Sequence, residues 1–313
     1  MKSNTIFVVI ATLLVCVQAF QQPKADYSSP LFHNPSRNHG YRPLQAGTSE
    51  EKLTSAFELK NELMKTISDF RKLRERDGDV SIDFGVKGGE LNATSRAPQK
   101  VDFYSISKDV GDKAAEILEI CERLSACSPT EDATVFLGDK ENGDKTPLEG
   151  PWKSLFTTAA DANFSKNSTR GAAKAQNIVD GKKGTITNVI DFETKEDGTQ
   201  PVLKQLNVVI KATAVSPKRV ALQFKYAKAV LTKFFFFKVR WSLYIPVPGP
   251  FITRCIVLIS RLLRLGKKGA KSVPKAYLDL LYLDQELRVH RTGEDNWFVQ
   301  VRESWDAAKP LLE

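Results

Sequence analysis

The chain has 313 residues, with 46 Lys and Arg against 37 Asp and Glu for a formal charge of +9, and 42% hydrophobic residues, enough for one large or two small folded domains. Cys16 lies in the leader, which leaves the odd number of Cys121, Cys127 and Cys255; the first two share a helical pattern and no His lies near them at zinc spacing, so neither a disulfide framework nor a metal site is indicated. No G-x-S-x-G, Gly-rich phosphate loop or H-E-x-x-H is present, so no catalytic residue, metal or cofactor is expected.

In chain order, Lys2, the apolar run over residues 6–17 and the small Ala19 predict a secretory signal over residues 1–19, too short to span a bilayer. Residues 20–47 carry Lys24, Arg37 and Arg42 against the single acid Asp26 and are transit-peptide-like, with plain secretion and an unstructured N-terminus as the alternative. A helix over residues 50–76 follows from Leu53, Phe57, Leu63, Met64, Ile67, Phe70 and Leu73, and Asp77-Gly78 ends it. Gly85, Gly88, Gly89 and Pro98 mark residues 79–100 as a linker or insertion, so residues 48–104 are one helix plus a flexible segment. A second helix over residues 108–127 has the stripe Val110, Ala114, Ile117, Leu118, Cys121 and Leu124.

From Trp152 onward the apolar period changes to two. Strands are expected over residues 152–158, 176–179, 185–192, 203–215, 220–231, 235–245, 277–283, 287–291 and 297–302. Leu206, Val208, Ile210 and Ala212 face one way, and Val220, Leu222, Phe224 and Tyr226 repeat the pattern against Gln223 and Lys225. Eight or nine short-linked strands suit a mainly β, lipocalin-like up-and-down β-barrel preceded by N-terminal helices. Gly181-Lys182-Lys183-Gly184 is a basic turn without the strand-loop-helix setting of a phosphate loop.

From Gly198 to Leu278 there is no Asp or Glu, a one-signed stretch that attracts a polyanion or an anionic membrane surface. Within it, Pro246 to Pro250 breaks a strand, and residues 251–265 form a basic amphipathic helix, a barrel cover or an interfacial element. Its Ile252, Ile256, Ile259 and Leu263, with Arg254, Arg261, Arg264 and Lys268, are candidate membrane contacts. So are Phe235 and Phe237, because a strand through Phe234 to Phe237 turns two rings outward to be covered by lipid, the neighbouring helix or a subunit interface.

Near the end, Tyr282-Leu283-Asp284-Gln285-Glu286-Leu287-Arg288-Val289-His290-Arg291 and Gly293 resemble the Y-L-D-x-x-L-R-x-x-R-x-G motif of the plastid lipid-associated proteins, also called plastoglobulins or fibrillins. Gly150-Pro151-Trp152-Lys153-Ser154-Leu155-Phe156-Thr157-Thr158 is similar to the family's G-x-W-x-L-x-Y-T-T strand, with Phe156 for the usual Tyr. Gln176-Asn177-Ile178 and Asn188-Val189 are a weaker echo. The resemblance spans residues 105–305, leaving 306–313 as a tail, and the leader resembles the bipartite presequence of algae with secondary plastids. It implies the same barrel, carotenoids, prenylquinones or polar lipids as ligands, and a structural or carrier role without catalysis. It further implies a plastid location at thylakoid or plastoglobule surfaces, and, as an alternative, a membrane scaffold for a prenyl-lipid biosynthetic enzyme.

Candidate ligand contacts are the aromatics Trp152, Phe224, Tyr226, Trp241, Tyr244, Tyr282 and Phe298, core residues by default, some of which line any cavity. Arg288 and Arg291 are candidate anchors for a lipid head group or an isoprenoid diphosphate at the barrel mouth. For Asp284 and Arg288 the plainer alternative is an ion pair or turn hydrogen bond that pins the hairpin. His290, the lone imidazole of the domain, reads as a surface or cross-strand residue before a catalyst. An RNA-binding protein and a lipocalin-type enzyme are the rivals; nucleic acid is not expected, because the aromatics alternate inward and no RNP-like motif occurs.

Overall fold

The computed structural model describes residues 49–78, 100–162, 172–194, 198, 200–232, 241–246 and 276–312. The leader, the transit-like segment, residues 79–99, Phe235, Phe237 and the basic helix with Ile252, Arg254, Ile256, Ile259, Arg261, Leu263, Arg264 and Lys268 lie outside the described residues.

Helix α1 spans Ser49–Asp77 and stops where Gly78 takes φ +97° and donates its N–H to the Arg74 carbonyl, the left-handed cap that glycine adopts without strain. Helix α2, Lys108–Ala126, starts at Ser107, whose hydroxyl accepts from the Val110 N–H and donates to Asp77, so one serine caps α2 and ties it to the end of α1. The facing stripes, Leu59, Leu63, Ile67 and Phe70 against Ile117, Ile120, Cys121 and Leu124, share one buried cluster. Cys121 and Cys127 are free and buried, and burial pushes the Cys121 thiol up.

The strands are β1 (Gly150–Thr157), β2 (Ala173–Asp180), β3 (Thr185–Phe192), β4 (Leu203–Ser216), β5 (Arg219–Leu231), β6 (Trp241–Pro246), β7 (Ala276–Leu283), β8 (Leu287–Thr292) and β9 (Trp297–Val301). They make one antiparallel sheet in the order β4-β3-β2-β1-β9-β8-β7-β5-β6, and β4 also pairs with β5, so the sheet closes almost into a ring. Nearly every neighbour in space is a neighbour in sequence, which makes this an up-and-down barrel with N-terminal helices. β7 holds β5 only from Arg219 to Leu222, and β6 takes the same edge from Tyr226 to Leu231.

Three irregularities of register redirect side chains. In β5 the extra residue Lys225 interrupts the alternation, so the expected inward run Val220, Leu222, Phe224 does not continue to Tyr226: Tyr226 turns outward and Ala227 turns in. In β7 a shift at Leu281 leaves Leu278 and Leu280 inside and turns Tyr282 out toward the helices. In β1 a shift at Leu155 leaves Trp152 inside and sends Leu155 and Phe156 to the helices.

The helix pair covers the outer face of β1, β7, β8 and β9, where Phe156, Tyr282, Leu287, Val289, Val299 and Val301 join its stripes in one cluster. Each such aliphatic side chain contributes about 1.5–3 kcal/mol through burial. The C-terminal helix α3 (Lys309–Leu312) adds Leu311 to the cluster, beside Trp305 and Ala308.

A polar clamp fixes this docking. Lys60 of α1, 7% exposed, donates to Asp284 at 2.7 Å and to Glu286, and lies 4.9 Å from the Trp305 ring centroid. Asp284 also accepts from the Glu286 and Leu287 N–H groups at 2.7 Å, which shapes the β7–β8 turn. Burial pushes the Asp284 carboxyl up, but Lys60, the Leu287 N–H and the Tyr282 hydroxyl outweigh it and hold the pKa below the usual value. Lys60→Met is expected to cost about 3 kcal/mol, because it strands a largely buried carboxylate, while Lys60→Arg retains most of the stability. Urea denaturation of the three proteins measures both differences.

Candidate functional site

Strands β8 and β9 alternate strictly, and the helices take their apolar side: Leu287, Val289, Trp297, Val299 and Val301. The intervening residues, Arg288, His290, Phe298 and Gln300, therefore face the barrel interior. Arg288 lies directly across from Gln300, and His290 across from Phe298.

Arg288 is 2% exposed and forms no ion pair with any described carboxylate. Its Nε donates to Gln300 Oε1 at 3.0 Å, and its Nη2 donates to Gln300 Oε1 and, at 2.8 Å, to Asn177 Oδ1 on β2. Gln300 Nε2 also donates to Asn177 Oδ1, and Asn177 Nδ2 donates to Asn188 Oδ1 on β3 at 2.7 Å. Nη1 makes no hydrogen bond to a described residue. The guanidinium carbon lies 5.0 Å from the Trp152 ring centroid, and that of Arg302 lies 3.9 Å from it. Burial first, and Arg302 second, lower the Arg288 pKa from 12.5 to about 9, which leaves it charged at neutral pH.

His290, 4% exposed, stacks on Phe298 with ring centroids 4.9 Å apart, and its Nδ1 has no hydrogen-bond partner among the described residues. Burial, then the Arg288 charge, push its pKa well below 6.5, so the ring is neutral at neutral pH. Much of the remaining interior is apolar, with Val179, Ile186 and Leu280 in one cluster and Leu206, Ala227 and Phe224 in another. One end of the lumen thus carries a cation and amide dipoles, and the rest offers hydrocarbon.

The structure divides the sequence candidates. Trp152, Arg288 and Phe298 line this interior end, and Phe224 packs further along the lumen. Tyr226 and Tyr244 lie on the outer face, 38% and 60% exposed with centroids 6.1 Å apart, and Trp241, 41% exposed, opens β6. Tyr282 lies under the helices, where its hydroxyl donates to Asp284. Arg291 is outside, 3.6 Å from Asp295 and over Trp297. Asp284 and Arg288 are not an ion pair: Asp284 makes the turn hydrogen bonds and meets Lys60, while Arg288 points inward.

The motif residues converge. Gly150, at φ +88°, has Arg302 Nη1 2.8 Å from where a Cβ would lie, so glycine here lets Arg302 reach Trp152. Thr158 accepts from the Trp297 N–H at 3.0 Å and Thr157 from the Ala159 N–H at 3.0 Å, closing the end of β1 on β9. Asn177 and Asn188, quoted above only as a weak echo, form the amide bridge. Gln300 escaped sequence reading, although a glutamine between Val299 and Val301 is a polar residue on a strand flanked by core positions.

The PAP_fibrillin family model matches residues 106–301. No curated protein and no solved structure matches the chain. The chain belongs to the PAP_fibrillin family of plastid lipid-associated proteins.

Because His290 is depressed below 6.5 in the fold, the unfolded chain takes up that proton first, and the stability this group carries is complete above 6.5 and lost as pH falls below it. The wild type is expected to lose up to about 1.4 kcal/mol per pH unit below that point through this one group. His290→Phe, which keeps the stacking, lacks that component, and urea denaturation of both proteins between about pH 7 and about pH 5 measures the difference.

Proposed function

We propose that this chain holds an apolar small molecule of the carotenoid, prenylquinone or polar-lipid class in its barrel, with the molecule's polar end at Arg288, and attaches peripherally to thylakoid or plastoglobule surfaces as a structural or carrier protein. The observation that carries this reading is the buried Arg288, without a carboxylate partner among the described residues, at one end of a largely apolar lumen. Burying an unpaired charge costs several kcal/mol. Two amide oxygens and the Trp152 ring offset part of that cost, and an accepting group on a ligand, such as a quinone or ester carbonyl or an anionic head, at the Nη1 donors, which bond no described residue, offsets more.

The outer surface supports attachment. Tyr226, Trp241 and Tyr244 are exposed on β5 and β6, and Lys228 lies 5.5 Å from the Tyr244 ring, an aromatic and basic combination suited to a lipid-water interface. The amphipathic pattern of residues 251–265 is the second element of this proposed attachment.

Mass spectrometry of an organic extract from protein purified out of its own cells, without detergent, tests the lumenal reading. A stoichiometric apolar ligand is expected. Arg288→Met is expected to lower its content about tenfold while changing stability by no more than about 2 kcal/mol. An empty wild-type barrel, or an unchanged ligand content in the variant, counts against the site.

A further inference from the structure

A second basic site lies on the outside of the barrel, independent of any lumenal ligand. The β2–β3 turn, Gly181-Lys182-Lys183-Gly184, is held against the loop that leads into β1 by two glycine contacts. Gly138 donates its N–H to the Gly181 carbonyl at 2.7 Å, and its Cα lies 3.1 Å from where a Cβ on Gly184 would be. The Gly143 carbonyl oxygen would lie 2.0 Å from a Cβ on Gly181, and Glu149 accepts from the Gly181 N–H at 2.6 Å. Side chains larger than hydrogen would push loop and turn apart, so glycine here sets a fixed wall.

Between this wall and the outer face of β3, β4 and β5 lies a cleft of about 710 Å³ that contains five lysines, Lys140, Lys182, Lys183, Lys211 and Lys225, and no acidic residue among the described residues of its lining. Lys182 is 3.3 Å from Asp144 and Lys183 2.6 Å from Asp180, whereas Lys140, Lys211 and Lys225 form no ion pair among the described residues. Lys225 is the extra residue of the β5 bulge, which brings it to the wall of the same cleft as Lys211. Thr185 and Thr213 add hydroxyls to the lining. Like charges gathered in one concavity repel one another in the empty protein and focus their field outward, a cost that a multiply charged anion relieves.

We propose that this cleft is a binding site for phosphate-bearing anions, a phosphate monoester or diphosphate, carried either by a lipid head group or by a free soluble ester. Ammonium groups act there as point charges on rotatable stems, which suits tetrahedral oxyanions presented at varied angles, in contrast to the single planar fork of Arg288 in the lumen.

The test compares the full chain with Lys211→Gln/Lys225→Gln and with a control, Lys65→Gln/Lys72→Gln, which removes the same charge from the exposed side of α1. One arm titrates inorganic pyrophosphate calorimetrically, and the other measures sedimentation with phosphatidylcholine vesicles with and without phosphatidic acid. The cleft variant is expected to weaken binding by about tenfold or more in at least one arm, and the control to leave it unchanged. A loss in the pyrophosphate arm assigns the soluble ester, and a loss confined to the phosphatidic acid vesicles assigns the lipid head group. Equal losses in the control, or none in the cleft variant, overturn the proposal, and neither result depends on what the barrel holds.

Discussion

The structure turns on the docking of α1 and α2 against the outer face of β8 and β9. A strand presents alternate residues to opposite sides, so once Leu287, Val289, Val299 and Val301 meet the helices, Arg288, His290 and Gln300 must enter the barrel. In an ordinary small barrel the apolar face of each strand fills the inside. Here two strands are inverted in that respect, and the inversion places a charge in the lumen. The clamp of Lys60 on Asp284 and Glu286 belongs to the same arrangement, because it ties the β7–β8 turn to α1.

The barrel is therefore two-sided in character. Its β1, β7, β8 and β9 wall is dry outside and polar at one place inside, whereas β4 and β5 carry apolar residues inside and Lys211 and Lys225 outside. The two basic sites differ accordingly. Arg288 is enclosed, fixed by amides and beside an indole, a setting for one oriented polar end of a largely apolar molecule. The lysine cleft is open and multiply charged, a setting for an anion that arrives from solvent or from a surface. Conversely, the neutral, stacked His290 lacks a protonated state near neutral pH that would let it act as an acid there.

Local features decided much of this from sequence alone. Gly78 marks a helix end through chemistry confined to one turn, Asp284 shapes its own hairpin, and the period-two pattern located the strands from residue 152 onward, because these effects act between residues a few positions apart. The end motifs around Trp152 and Arg288 identified the family and its barrel for the same reason: they are contiguous strings. What the string left open was which face of each strand is inside. Tyr226 and Tyr282 were placed by bulges at Lys225 and Leu281, which depend on register against a partner strand and are invisible in the alternation itself. Arg288 found Asn177 only when strands distant in sequence were laid side by side, and it met Gln300, as Lys211 met Lys225, through the register of a hairpin pair. Alternation defines two faces, but the partner that covers one of them decides which becomes the interior, and that partner is set by tertiary packing.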